Sequence, residues 1–415
     1  MLRYEIKKMF GTFGGKLALV IYAVVVVFSC WLAISGFLNY ETKWVNELGE
    51  SEHGLQAVQK LREARNEWEG YLDQEMLTKV IQENSRINAT PEGQSSNVQQ
   101  SNIAYGWKQG FIPIRELINR SYAAGFRTYD YYRADGISVI REETFYGNRT
   151  RQLTEWLYDK TEVAYDRYTE TEKQYLIGQY EKLETPFYVD YHDGWYQVLE
   201  GSVYIPSLGI LIIGFLLSGM FANEFKWKAD SIYFSTLHGR TKATCAKIKA
   251  GLLLVSVMYW SAMLIYSIVT LGYMGFEGGS CVIQFRLWKS PYNITMRQAW
   301  VLCLMGGYIG NLFLAALTMF ISAKTKSSVI AVITPFVFLF IPSFLQGIAD
   351  WLDTVIAMMP DCLLLFYQRL GTFDLITIFG KVFRVLDVCL PLYAVLTIVL
   401  VPVIYREFRK TQLIK

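Results

Sequence analysis

The side chains best placed to act together in this sequence are the charged ones of a single stretch, 223–249, NEFKWKADSIYFSTLHGRTKATCAKIK. Glu224 and Asp230 are outnumbered there by Lys226, Lys228, Arg240, Lys242, Lys247 and Lys249. Such groups can pair across helix ends, orient a short helix or hold a segment at a membrane surface. They do not make a catalytic centre. The only histidines, His53, His192 and His238, are scattered, and nothing in the chain resembles a nucleophile beside its base. His192-Asp193, with His53, lacks the ligand spacing of a metal site and reads as an ordinary turn. There is no G-x-x-x-x-G-K-[ST] phosphate loop, so ATP hydrolysis of the usual kind would require another chain.

Two apolar segments flank this charged stretch, each long enough to cross a bilayer. A short loop with a Lys/Arg excess stays on the cytoplasmic side during insertion, which places 223–249 inside the cell. Phe225, Ile232, Tyr233, Phe234 and Leu237 recur at roughly helical spacing before Gly239, and this predicts a short amphipathic helix lying flat under the bilayer. Taken singly, Arg240, Lys242, Lys247 and Lys249 are ordinary positive-inside anchors.

Together with Glu224 they have a register. The loop resembles the first cytoplasmic loop of type-2 ABC transporter permeases, in which a Glu leaving the second span is followed by Gly-Thr, a Leu-rich helix, Pro-x-x-Arg and a Lys. Glu224, Arg240 and Lys247 stand in that register. Lys228-Ala229 replaces the Gly-Thr pair, and Leu237 takes the place of the Pro. The resemblance implies a membrane subunit whose loop docks into a separate ABC ATPase, with Glu224, Tyr233, Phe234, Leu237, Arg240 and Lys247 as the coupling residues. It further implies ATP-Mg on that partner, no cofactor in this chain, and a second permease chain, identical or related.

Composition agrees with a membrane protein, since the 415 residues are 52% hydrophobic and the apolar ones are bunched in blocks. The net charge of +3 hides an asymmetry. Residues 39–204 hold 27 acidic against 18 basic side chains, a net of −9, so the remainder carries +12. The acidic block is most simply an extracellular domain between spans one and two. With no basic stripe to neutralise phosphates, nucleic acid is excluded as a partner. The block contains no Cys, which fits a bacterium lacking dedicated oxidation outside the cell better than a eukaryotic secretory route.

The elements follow in order. Residues 1–38 comprise a basic cytoplasmic segment and a first span at 17–38, whose apolar run outlasts a cleavable signal core. In 39–204 helical spacing predicts one long helix over 46–83 and others over 114–123 and 153–183, with a surface loop at 88–101. Tyr129, Tyr131, Tyr132 and Tyr146 with Trp107 would suit either an aromatic cleft or core and subunit contacts. The membrane domain, 205–415, carries spans at 205–222, 250–271, 299–321, 327–345 and 388–405. As drawn, these contain no charged residue, so a carboxylate relay finds no support. Ser256, Trp260, Tyr266 and Asn311 are the polar and aromatic candidates for a substrate path. Residues 350–384 are too interrupted to cross and too apolar for a free loop, which predicts short re-entrant helices in the outer leaflet. The four inner segments hold 4, 6, 2 and 4 Lys or Arg and the two short outer ones 3 each, so both termini lie inside.

The expectation is an all-α protein with six transmembrane helices and a mainly α-helical extracellular domain, in a bacterial plasma membrane. Its function would be that of the permease subunit of an ATP-driven exporter moving an amphipathic peptide, antibiotic or lipid. The alternative is a non-transporting receptor whose extracellular domain binds a ligand. A membrane-embedded enzyme would need clustered His, Asp or Glu at the membrane surface.

Overall fold

A computed structural model describes residues 1–39 and 44–410, and over these the chain is an all-α polytopic membrane protein. Six helices are long and apolar enough to span a bilayer. Span 1 is Phe13–Ser35, span 2 Asp193–Lys226, span 3 Gly239–Met274, span 4 Met296–Thr325, span 5 Ser328–Leu345 and span 6 Val385–Arg409. Lys415, the last of the predicted inner anchors, lies outside the described residues.

Several helices outrun their apolar cores because their polar flanks are also helical. Span 2 begins at Asp193 and passes through a 3₁₀ turn, Gly201–Val203, without a break. The Asp193-Gly194 pair, expected as a turn, instead opens that helix. Glu224 and Lys247, expected beyond the ends of spans 2 and 3, are therefore helical residues of those spans. Span 4 starts from a capping box between Thr295 and Gln298. It ends at Lys326, whose left-handed backbone (φ 56°) reverses the chain, and Ser327 then caps span 5.

Span 4 is the centre of the bundle and packs against spans 2, 3, 5 and 6. Its small residues admit side chains from the segment following span 5: Phe366 fills the space a side chain at Gly306 would need. On span 2, a methyl group at Gly214 would come within 2.6 Å of Pro335 Cγ. Buried polar groups tie the helices together. Ser322 Oγ donates to Ser218 O (2.6 Å), and Asn311 Nδ2 donates to Pro206 O (3.2 Å).

Residues 44–192 form a helical domain, but not with the predicted long helices. The helix over 46–83 divides into Leu55–Asn66 and Gln74–Asn88. Gly70 (φ 143°) turns the chain into a short strand that pairs with Tyr188–Val189, and Asp73 caps the second helix. Likewise 153–183 divides, because a capping box between Thr169 and Glu172 starts a new helix, Glu170–Glu181, after Glu142–Tyr158. The expected loop at 88–101 contains the start of a helix, Val98–Lys108, capped by Asn97. Ile112–Ser121 matches its prediction closely.

Residues 350–384 fold as three short helices, Asp350–Ala357, Asp361–Leu364 and Phe366–Arg369, followed by an antiparallel hairpin. The hairpin departs from the helical expectation for a local reason. Leu375–Ile378 and Lys381–Arg384 join through Phe379 (φ 51°) and Gly380 (φ 75°), the pair of positive φ values that a tight two-residue hairpin turn requires.

The helical domain, the loop between spans 3 and 4 and the segment between spans 5 and 6 meet at one end of the bundle, as in the contacts Arg149 Nε to Trp288 O (2.9 Å) and Tyr168 Oη to Phe373 O (3.2 Å). The N-terminal helix Leu2–Phe10, the loop after span 2 and the end of span 6 meet at the other. We call these the domain end and the loop end.

Candidate functional site

At the loop end, four charged side chains from three elements form one node around two buried members, Glu224 and Lys247. Glu224, 4% exposed, sits at the end of span 2, and Lys247, fully buried, in the first turns of span 3. The Lys247 ammonium donates to Glu224 Oε1 (2.8 Å), Glu5 Oε2 (3.1 Å) and the Met220 carbonyl (2.9 Å), so each of its three protons has an acceptor. Lys8 closes the node on the same Glu224 oxygen. Two acids face two bases, which is the condition under which buried charge is tolerated. The family register supplied Glu224 and Lys247 but not Glu5 or Lys8. Their signal was their i, i+3 spacing on a basic amphipathic N-terminal helix.

Beside the node the helix Asp230–Ser235 is held by aromatic packing. Phe234 is buried, its ring 5.1 Å from that of Phe408 on span 6, and Tyr233 lies 5.7 Å from the same ring. Burial pushes the Tyr233 hydroxyl pKa up. Arg240 stacks over Phe234 at 4.7 Å and donates to Arg409 O (2.7 Å). Tyr233, Phe234 and Arg240 thus bind the loop to the chain's own span 6. The apolar side chains left facing outward are Trp227, Ile232 and Leu237, the last 90% exposed. Spans 2, 3 and 6 and the N-terminal helix are all fastened to a loop that presents two aliphatic residues.

A second node lies at the domain end of the same span 2. Asp193, 1% exposed, pairs with Arg286 (3.0 Å) from the loop between spans 3 and 4 and with Arg65 from the helix Leu55–Asn66. Next to it, burial and then Arg286 push His192 down to about 4, so the imidazole is neutral at physiological pH. Its Nδ1 lies 2.8 Å from Asp190 O. Among the described residues no group of three or more His, Cys, Asp or Glu is placed to hold an ion.

The four path candidates do not line one channel. Tyr266 is buried and donates to Gln197 O (2.9 Å), and Asn311 is consumed in helix contacts. Ser256 and Trp260 remain together on a half-buried face of span 3, where Tyr308 of span 4 meets the Ser256 hydroxyl (2.7 Å) and lies 5.3 Å from the Trp260 ring. The aromatic residues of the domain also separate. Tyr146 serves the core by donating to Leu72 O (2.8 Å), Tyr129 lines a basic cavity, and Trp107 lines a different hollow.

Comparison with protein-family models, curated proteins and solved structures finds no match.

Proposed function

We propose that this chain is the membrane subunit of an ATP-driven exporter of the type-2 ABC permease kind, working with a separate ABC ATPase that binds ATP-Mg and with a second permease chain. The loop end faces the cytoplasm and the helical domain faces outward, a reading the Lys/Arg bias supports, and the membrane is a bacterial plasma membrane. The observation that carries this reading is the pair Ile232 and Leu237. They are exposed on a loop that is itself locked to three spans through Glu224–Lys247 and Phe234–Phe408. Aliphatic side chains exposed on a rigid mount suit the groove of a partner, and movement of that partner would reach the helix ends without being lost in a slack loop. The half-buried face of Ser256, Trp260 and Tyr308 would meet the second chain and carry an amphipathic substrate between the two.

The test is co-purification of an ATPase encoded beside this chain, with the loop intact and with Leu237→Asp or Ile232→Asp. Loss of the ATPase from both variants, with insertion retained, supports coupling. Undiminished ATPase binding and transport in both would leave a non-transporting receptor, with the helical domain as its ligand-binding part, as the better reading.

A further inference from the structure

Residues 39–204 are acidic as a whole, yet one cavity at the domain end is basic. It measures about 310 Å³ and opens between the helical domain and the loop joining spans 3 and 4. Arg120 and Arg127 line it from the domain, and Arg286 and Lys289 line it from the loop, with no acidic residue among the lining side chains. Phe126 and Trp288 supply apolar wall.

Most of the charge there is not neutralised by the protein. Arg286 is paired with Asp193, and Arg120 donates to the Arg286 carbonyl (2.9 Å). Neither Arg127 nor Lys289 has an ion-pair partner among the described residues; Lys289 Nζ lies over the Phe126 ring at 5.2 Å, and Arg127 over Trp156 at 4.7 Å. Burial first, and then the neighbouring Arg127 and Arg120, push Lys289 down to about 8. Cations without anions call for an oxyanion.

The walls limit its identity. Phe126 belongs to an aromatic cluster with Trp156, Tyr180 and Phe373, which makes one side of the cavity stiff and apolar. A bare inorganic ion would leave that side uncovered, whereas the volume is at the small end of ligand pockets and too small for a folded partner. We propose that this cavity binds a phosphate group borne on a short apolar body, with Arg127 and Lys289 on the oxyanion and Phe126 and Trp288 against the apolar part. Because its walls come from both the domain and the membrane bundle, an occupant would fasten the two together. The proposal does not depend on the transport reading.

The phosphate could come from a lipid headgroup or a soluble compound, and the experiment separates them. Purified full-length chain in uncharged detergent is titrated with hexyl phosphate, inorganic phosphate and hexanol, followed by calorimetry. Saturable binding of hexyl phosphate, weaker binding of inorganic phosphate and none of hexanol is expected. Arg127→Gln and Lys289→Gln should each weaken hexyl phosphate binding by roughly tenfold or more, while Lys289→Arg and the exposed control Lys160→Gln retain it. Titration in nanodiscs of phosphatidylcholine, with and without phosphatidylglycerol, identifies the source: competition by phosphatidylglycerol supports a lipid headgroup, and its absence supports a soluble phosphate compound. No saturable binding, or binding unchanged in both Gln variants, overturns the site. Equal affinity for hexyl and inorganic phosphate overturns the apolar half of the assignment.

Discussion

Asp193 and Glu224 stand at opposite ends of one helical run, and each carboxylate is shared between two cations from other elements. Arg65 and Arg286 hold the first, and Lys8 and Lys247 hold the second. At a rise of about 1.5 Å per residue the two are about 45 Å apart. The run therefore joins the helical domain to the loop end as a single strut, pinned at both ends by charge and not by apolar packing alone.

Neutralising Asp193 leaves Arg65 and Arg286 with no acid at that node, whereas neutralising Glu224 leaves Lys247 with Glu5 and frees the partly exposed Lys8. Asp193→Asn should destabilise the protein by about 3–5 kcal/mol, the range for breaking a buried pair from one side, and Glu224→Gln by less. The sites share no partner, so the losses should add to within about 0.5 kcal/mol in the double variant. Thermal unfolding of the three variants in detergent measures this. A loss below about 1 kcal/mol at either site would show that the node there is solvated.

The loop residues divide into inward and outward sets, and the two sets should fail differently. Phe234→Ala removes a ring packed on Phe408 and Phe225, so it should cost about 3–5 kcal/mol of stability. Leu237→Asp should leave the melting temperature unchanged, because its side chain touches little of the protein, and should act on partner binding alone. A melting curve beside a pull-down of the proposed ATPase partner resolves the pair. A Leu237→Asp variant that unfolds early would mean that this residue packs within the chain.

Much of this architecture was legible because bilayer-spanning apolar runs are strong signals, and all six survive as whole helices among the described residues. Glu224 and Lys247 were found through a register of charges. Their partners Glu5 and Lys8 were not, since pairing across some 220–240 positions leaves no trace in one sequence. Inside the domain, periodicity alone could not see the breaks at Gly70 and Thr169, where a positive φ and a capping box override a continuing apolar stripe. The hairpin over Leu375–Arg384 was missed although its strands alternate and its turn holds a Gly, because the surrounding apolar residues invited a helical reading. The basic cavity is assembled from segments some 160 positions apart, one of them in a block whose average charge has the opposite sign.

Native cysteines test the orientation with little engineering. Cys245, at the loop end, is exposed, and Cys30, Cys281, Cys303, Cys362 and Cys389 are buried. An impermeant maleimide should therefore leave the wild-type chain unlabelled on intact cells and label Cys245 in inverted vesicles. Ser51→Cys, on the helical domain, should label on intact cells. The reverse pattern would place the helical domain in the cytoplasm and the loop outside.

The pH dependence of phosphate binding follows from Lys289. The groups facing it are Arg120 and Arg127 from the domain and Arg286 from its own loop. Tyr129 lines the same cavity, and Tyr180 donates to the Lys289 carbonyl (2.6 Å); burial raises both hydroxyls above their ordinary value, so neither ionises in that range. Glu116 acts on both Tyr129 and Arg286. Lys289 is thus the group that changes charge near pH 8. Its folded value lies below the ordinary lysine value, so the free protein loses this proton as pH rises through about 8, while a bound oxyanion favours keeping it. Linkage then makes affinity for hexyl phosphate fall by roughly tenfold between pH 7.5 and 9, over which the ligand stays dianionic. Lys289→Arg, whose charge does not titrate there, should bind with a flat profile. Calorimetry of both proteins across that interval reads the difference, and a flat wild-type profile would show that Lys289 does not contact the anion.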